Sequence, residues 1–237
     1  MKNAIIVPIA AFSLFASCKA PSYSYVSPTL NNTAYGQAGT GHIGVQFGTI
    51  GMGAKGGVAI TDNISVNGFF GGLPEAKDDY TSREGEVSLG FQSRSKNNFV
   101  TKFYAGTGIG SNEKDKTGLS GDYYRPFIQF QGAAYDKPVG ASGIYLDASF
   151  GLRLNYLLYD GVKGGADFDH KVFYTEPFLG VAIGGRNVRF ELLQGLAIKT
   201  SGTWTEGLRI FPYFGNVGVL FKLRKSGAKE AKTNGLN

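Results

Sequence analysis

The chain has 237 residues, among them 36 glycines, 13 tyrosines, 18 phenylalanines, two histidines and one cysteine, enough for one barrel or one and a half ordinary domains. One cysteine excludes an internal disulfide, and the cysteine and histidine counts exclude a metal centre built from those two residue types. The net charge of +6 comes from basic residues scattered along the chain, apart from Lys222, Arg224, Lys225, Lys229 and Lys232 near the end, so no nucleic-acid partner is expected.

The chain opens MKNAIIVPIAAFSLFASC, with Lys2, an apolar run from Ala4 to Phe15, and then Ala16, Ser17 and Cys18. A basic start, an apolar stretch and small residues before a cleavage point make a secretory signal, which sets residues 1–17 apart from the fold. Leu14-Phe15-Ala16-Ser17-Cys18 resembles the lipobox of bacterial lipoproteins, and the resemblance implies that Cys18 becomes the lipidated first residue. An ordinary signal peptide cleaved nearby is the alternative. Surface-directed lipoproteins of Bacteroidota carry acidic residues after that cysteine; Lys19-Ala20-Pro21 has none, so the resemblance implies a periplasm-facing anchor. Residues 18–40 are rich in Ser, Pro, Asn and Gly without a sustained period, and read as a tether.

Alternation of apolar and polar residues then marks ten segments: His42–Ile50, Ala54–Thr61, Ile64–Gly72, Glu86–Ser93, Phe99–Gly110, Tyr124–Tyr135, Ile144–Tyr156, Val172–Ile183, Val188–Ile198 and Tyr213–Leu223. The clearest is IYLDASFGLRLNY, with Ile144, Leu146, Ala148, Phe150, Leu152 and Leu154 on one face and Asp147, Ser149, Gly151, Arg153 and Asn155 on the other. It is long for an ordinary strand, whereas a tilted membrane-crossing strand needs about 9–11 residues. Connections after the second, fourth and eighth segments are short, and a medium one around Lys137-Pro138 follows the sixth. Polar stretches of about a dozen residues follow the third, fifth, seventh and ninth: Leu73–Gly85, Ser111–Tyr123, Leu157–Lys171 and Lys199–Pro212. Only Gly51 to Gly53 is short on the loop side.

This rhythm predicts an all-β fold: an antiparallel up-and-down transmembrane β-barrel of ten strands, with eight as the alternative count, over residues 41–224. Residues 225–237 read as a flexible basic tail. An even strand number puts both termini on the short-turn side, here the periplasm, with the long loops outside as the expected contact surfaces. The polar parity holds Lys55, Glu86, Lys102, Arg125, Asp147, Arg153, Glu176, Arg189, Glu191 and Lys222, six bases against four acids. Ten strands enclose little beyond their own side chains, so these are expected to pair and plug the lumen. Asp147, Arg153, Glu176, Arg189, Glu191 and Lys102 are the candidate lumen charge network. Leu192-Leu193-Gln194 fits neither parity and predicts a bulge.

VAITDNISVNGFF, KFYAGTGIGS and PYFGNVGVLFKL resemble small bacterial outer-membrane barrels of the OmpA/OmpW kind. The lipobox followed by LDASFGLRLNY and FYTEPFLGVAIGGRNVRFELLQGLAI resembles barrel lipoproteins of Bacteroidota. The resemblance spans roughly Gly41 to Leu223. It implies an integral outer-membrane barrel lipoprotein with a structural, interaction or narrow-permeation role.

Two other readings have features to support them. Asp167-Phe168-Asp169-His170 lies on an expected outside loop, where an outer-membrane protease or lipid-A-modifying enzyme would gather acid and imidazole on one water. An exposed polar loop accounts for the same residues without chemistry, and no enzyme activity is expected. GTGIGS lacks the Gly-Lys-Ser/Thr that follows in a phosphate loop. A lipid-anchored, soluble lipocalin-like barrel would instead turn the apolar parity inward around an apolar ligand. The expected partners are outer-membrane lipid and a protein of the outer membrane or periplasm; no cofactor or metal is expected.

Overall fold

The structure, a computed structural model, describes residues 37–49, 51–73, 80–95, 99–114, 118–202 and 212–223. Cys18, the signal segment, most of the tether and the 225–237 tail lie outside the described residues, as do parts of three of the expected loops. The strands are β1 Gly41–Gly48, β2 Gly51–Ala59, β3 Ile64–Leu73, β4 Tyr80–Arg94, β5 Phe99–Lys114, β6 Leu119–Pro138, β7 Tyr145–Lys163, β8 Ala166–Gly184, β9 Val188–Leu196, β10 Ile198–Gly202 and β11 Tyr213–Leu223. Sequential neighbours from β1 to β9 pair antiparallel, and β11 pairs with both β9 and β1, so the sheet closes on itself. Closure leaves no sheet edge along this ring. β9 and β10 both pair with β8 and are two parts of one stave broken at Ala197. The wall is therefore a closed ten-stave antiparallel barrel.

Gly41 at the start of β1 faces Leu223 at the end of β11, so both described ends of the barrel lie at the end with the short connections. At the opposite end β1 turns into β2 within a few residues, and Gly51 takes φ +88 there, where an added Cβ would press on the carbonyl of Gly72.

Two of the expected long loops are mostly strand. β5 runs to Lys114 and β6 begins at Leu119, which takes most of Ser111–Tyr123 into the sheet. β7 runs to Lys163 and β8 begins at Ala166, so Leu157–Lys171 is a hairpin turned by Gly164 and Gly165, both at positive φ. The first also absorbs Tyr80–Gly85 into β4 and the last gives Lys199–Gly202 to β10. Alternation does not stop in these stretches; its polarity reverses. Below Tyr156 the inward residues of β7 are Asp147, Ser149, Arg153 and Asn155, whereas above it they are Leu157 and Tyr159 while Asp160 faces out. The outer face changes there from apolar to polar, while the two-residue period runs on.

The bulge expected at Leu192-Leu193-Gln194 is not formed. β9 stays in register with β8 and β11 through these residues, and Leu193 points inward against Phe178 and Phe214. Its apolar character belongs to a lumen contact. Register shifts occur instead between Ala134 and Lys137 on β6 and between Lys199 and Ser201 on β10.

Candidate functional site

Inward side chains fill the lumen by a repeated local device, in which a large side chain on one strand lies over a glycine on its neighbour. An added Cβ would meet the ring of Phe127 at Gly106, of Tyr104 at Gly90, of Tyr159 at Gly121, of Phe178 at Gly151 and of Phe69 at Gly53; Phe69 also covers Gly71 on its own strand. The same device makes room for charge. A Cβ at Gly108 would fall 2.7 Å from Glu84 Oε1 and 2.9 Å from Arg125 Nη2, so this glycine of β5 lets β4 and β6 join above it.

The ionic groups form three clusters. In the largest, Arg125 donates to Glu84, to Glu86 Oε2 at 2.8 Å and to Asn155 Oδ1 at 2.7 Å. Arg153 donates to both oxygens of Glu86, at 2.8 and 3.2 Å, and through Nε to Gln129 at 3.0 Å. Asn155 donates to Glu176 at 3.0 Å, and Tyr123 donates to Glu84 at 2.8 Å. Phe127 lies under the Arg153 guanidinium, 4.1 Å from its centroid. Arg125, Arg153, Asn155, Gln129 and Glu176 are wholly buried. Since Arg153 stands on β7 and Glu86 on β4, three staves away, this pair bridges the lumen.

The second cluster is the ion pair of Lys55 on β2 with Glu191 on β9. The third closes the short-turn end. Arg189 donates to Asp136 at 2.8 Å and lies 3.5 Å from Asp147, while Lys222 donates to Asp136 at 2.9 Å and to Asp147 at 3.0 Å. Asp136 belongs to the β6 irregularity and takes φ 52, a costly backbone state for a side-chain-bearing residue. Its own amide donates to Asp147 Oδ1 at 2.7 Å, which helps to hold it there. Lys102 stands among aromatic rings, 5.7 Å from the Tyr104 centroid and 5.5 Å from that of Tyr135.

All six residues of the candidate network thus lie inside the barrel, but in separate places: Arg153 and Glu176 in the large cluster, Asp147 and Arg189 at the short-turn end, Glu191 with Lys55, and Lys102 among aromatics. Sequence reading missed Glu84 and Asp136, which it left in a loop and beside a turn. Glu84 adds a buried acid beside Arg125, and the half-exposed Asp136 adds one at the mouth beside Arg189 and Lys222, so these bases gain counter-charges that parity had not supplied. It also missed the tyrosine layer above, where Tyr123 and Tyr159 join Leu157, Val172, Tyr174 and Ala197 in an apolar cluster.

The outer wall has the opposite character. Phe70, Leu179 and Phe190 are 68%, 67% and 64% exposed, and Ile43, Val45, Phe91, Phe130, Phe150 and Phe221 are exposed beside them. Above this apolar zone, Asp122, Asp160 and Asp169 stand directly opposite one another across β6, β7 and β8. Three facing carboxylates are tolerable only in water. Asp169 is exposed, whereas His170, one residue on, turns inward and is buried, so the two do not converge. Burial lowers the proton affinity of His170, against the pull of Asp169. Among the described residues, no group of three or more His, Cys, Asp or Glu is placed to hold a metal ion.

No protein-family model matches the chain, and no curated protein matches it. Among solved structures it is similar to the translocator domain of autotransporter NalP from Neisseria meningitidis, with TM-score 0.40 and 12% identity over 92% of this chain and 95% of that one. The assignment to a closed antiparallel barrel is carried by the register of the chain's own strands.

Proposed function

We propose that the chain is an integral outer-membrane β-barrel lipoprotein whose lumen is plugged by charge, with a structural or interaction role and at most narrow permeation. The observation that carries this reading is the inversion of polarity across one wall, with ion pairs inside and a continuous apolar surface outside. Soluble monomers rarely expose apolar patches beyond a few hundred Å². A bilayer removes that penalty, and it also favours the closed sheet, which satisfies its own backbone groups. The lipocalin-like alternative needs the apolar parity inside, where Arg125, Arg153, Glu86 and Glu176 stand instead.

Placement in the outer membrane, a lipid on Cys18 and periplasmic termini rest on the signal-like start, the lipobox resemblance and the even stave count. The OmpA/OmpW-like and Bacteroidota resemblances agree with them. The separation of Asp169 from His170 favours a role without hydrolysis. The outward acidic face of β5–β8 and the loops near it are the surfaces offered to a protein partner, and the apolar zone is offered to lipid.

Planar-bilayer recording tests the plug. The purified protein is expected to give no steady single-channel steps, because Arg153 and Glu86 bridge the lumen. Steady steps in the unmodified protein would contradict this part of the reading.

A further inference from the structure

In this barrel the pairing of each hairpin is guided by the turn that joins its strands. The β1–β11 seam has no such guide, because it joins the first stave to the last. Its lipid-facing side offers little help: Ile43, Val45 and Phe47 face Phe221, Val219 and Val217, and a slip of two residues would again set apolar against apolar. A slip of two also keeps every side chain on its own face of the sheet.

The inward side differs. Gly44 faces Leu220, Gln46 faces Gly218 and Gly48 faces Asn216, so at these three positions a large side chain has a glycine opposite, while at the foot of the seam His42 faces Lys222. The fits are close: an added Cβ would lie 3.1 Å from Leu220 Cδ1 at Gly44 and 3.2 Å from Gln46 Cβ at Gly218, and would run into the Asn216 side chain at Gly48. Slipping one way by two would set Gly44 against Gly218 and Gln46 against Asn216, giving a gap beside a collision. At the foot of the same seam, Lys222 reaches Asp136 and Asp147 on the far side of the barrel mouth. A slip would withdraw it from both.

We propose that the inward face of the β1–β11 seam is a register key for barrel closure. Its alternating glycine and large side chains, fastened by Lys222 to Asp136 and Asp147, select one shear of the closed barrel where the lipid face selects none. The key rests on the barrel's register and is independent of which membrane holds it.

Disulfide trapping in the full chain reads the register directly. Three double variants place cysteines at Val45→Cys with Val217→Cys, Val219→Cys or Phe221→Cys, and Val45→Cys alone controls for Cys18. The unmodified seam is expected to cross-link only the 45–219 pair. Adding Gln46→Gly and Leu220→Gly removes large members of the key, and adding Lys222→Met removes the fastener. In each case 45–219 cross-linking should fall and 45–217 or 45–221 should gain what it loses. Persistence of 45–219 alone in both variants would overturn the proposal, and so would slipped cross-links in the unmodified seam. If the glycine variant fails to give a folded, heat-modifiable barrel, the Lys222→Met result decides by the same criterion. A failed membrane-integration assay would leave these cross-links unaffected, so the two readings fail separately.

Discussion

Glu86 is the residue on which most of the lumen depends, because Arg125 and Arg153 both donate to it. Glu86→Gln takes the carboxylate partner from Arg153 and one of two from Arg125, and is expected to destabilise the barrel by about 3–5 kcal/mol, the usual cost of breaking a buried pair from one side. A lower urea midpoint for loss of the folded electrophoretic form checks it. Replacing Glu113, which faces out and is exposed, should leave that midpoint unchanged within about 0.5 kcal/mol. The glycines divide in the same way. Gly151→Ala would drive its Cβ into the Phe130 carbonyl and to 2.5 Å from the Phe178 ring, an overpacking expected to cost about 1–3 kcal/mol. Nothing lies within 4 Å of a Cβ at Gly185, so Gly185→Ala is expected to be nearly silent in the same unfolding measurement. Parity read from the sequence placed Lys55, Glu86, Arg125 and Arg153 on the inward face, since alternation fixes the face of a residue whatever its partner. It could not say that Glu86 would serve two arginines, because that depends on which staves approach across the lumen.

The strands show where sequence reading stops and why. The segments with an apolar outer face were legible to within a few residues. Their continuations were taken for loops, since above Tyr156 and below Val172 the outer face turns acidic and the inner face becomes aromatic. A two-residue period still runs through Leu157, Tyr159 and Gly161, and a search for alternation of either polarity would have found it. Under the proposed membrane placement, the change of sign marks the water boundary. Leu179→Arg, within the apolar zone, is expected to cost about 2–4 kcal/mol if it lies near the bilayer midplane. Asp160→Arg, on the neighbouring strand β7 but well beyond Phe150, which faces Leu179, should be neutral or slightly favourable because it interrupts three facing carboxylates. Folding titrations of the two variants in lipid vesicles check the contrast; equal penalties would remove the proposed boundary.

Closure makes the separate ladders one object. The β1–β11 and β9–β11 ladders join the first and last described strands, and the wall then has an inside with paired charges and an outside of exposed apolar side chains. The ten-stave count and the crowded lumen were readable from parity and connection lengths; the tyrosine layer and the Asp136 fastening were not, because each depends on residues lying outside the apolar-outward alternation. Under the proposed function the barrel itself, not a lipid on Cys18, holds the protein in the membrane. Alkaline carbonate extraction of membranes carrying the Cys18→Ser protein separates the two anchors. This variant is expected to stay in the membrane pellet and to retain heat-modifiable migration; its release into the supernatant as a folded protein would show that the barrel does not span the bilayer.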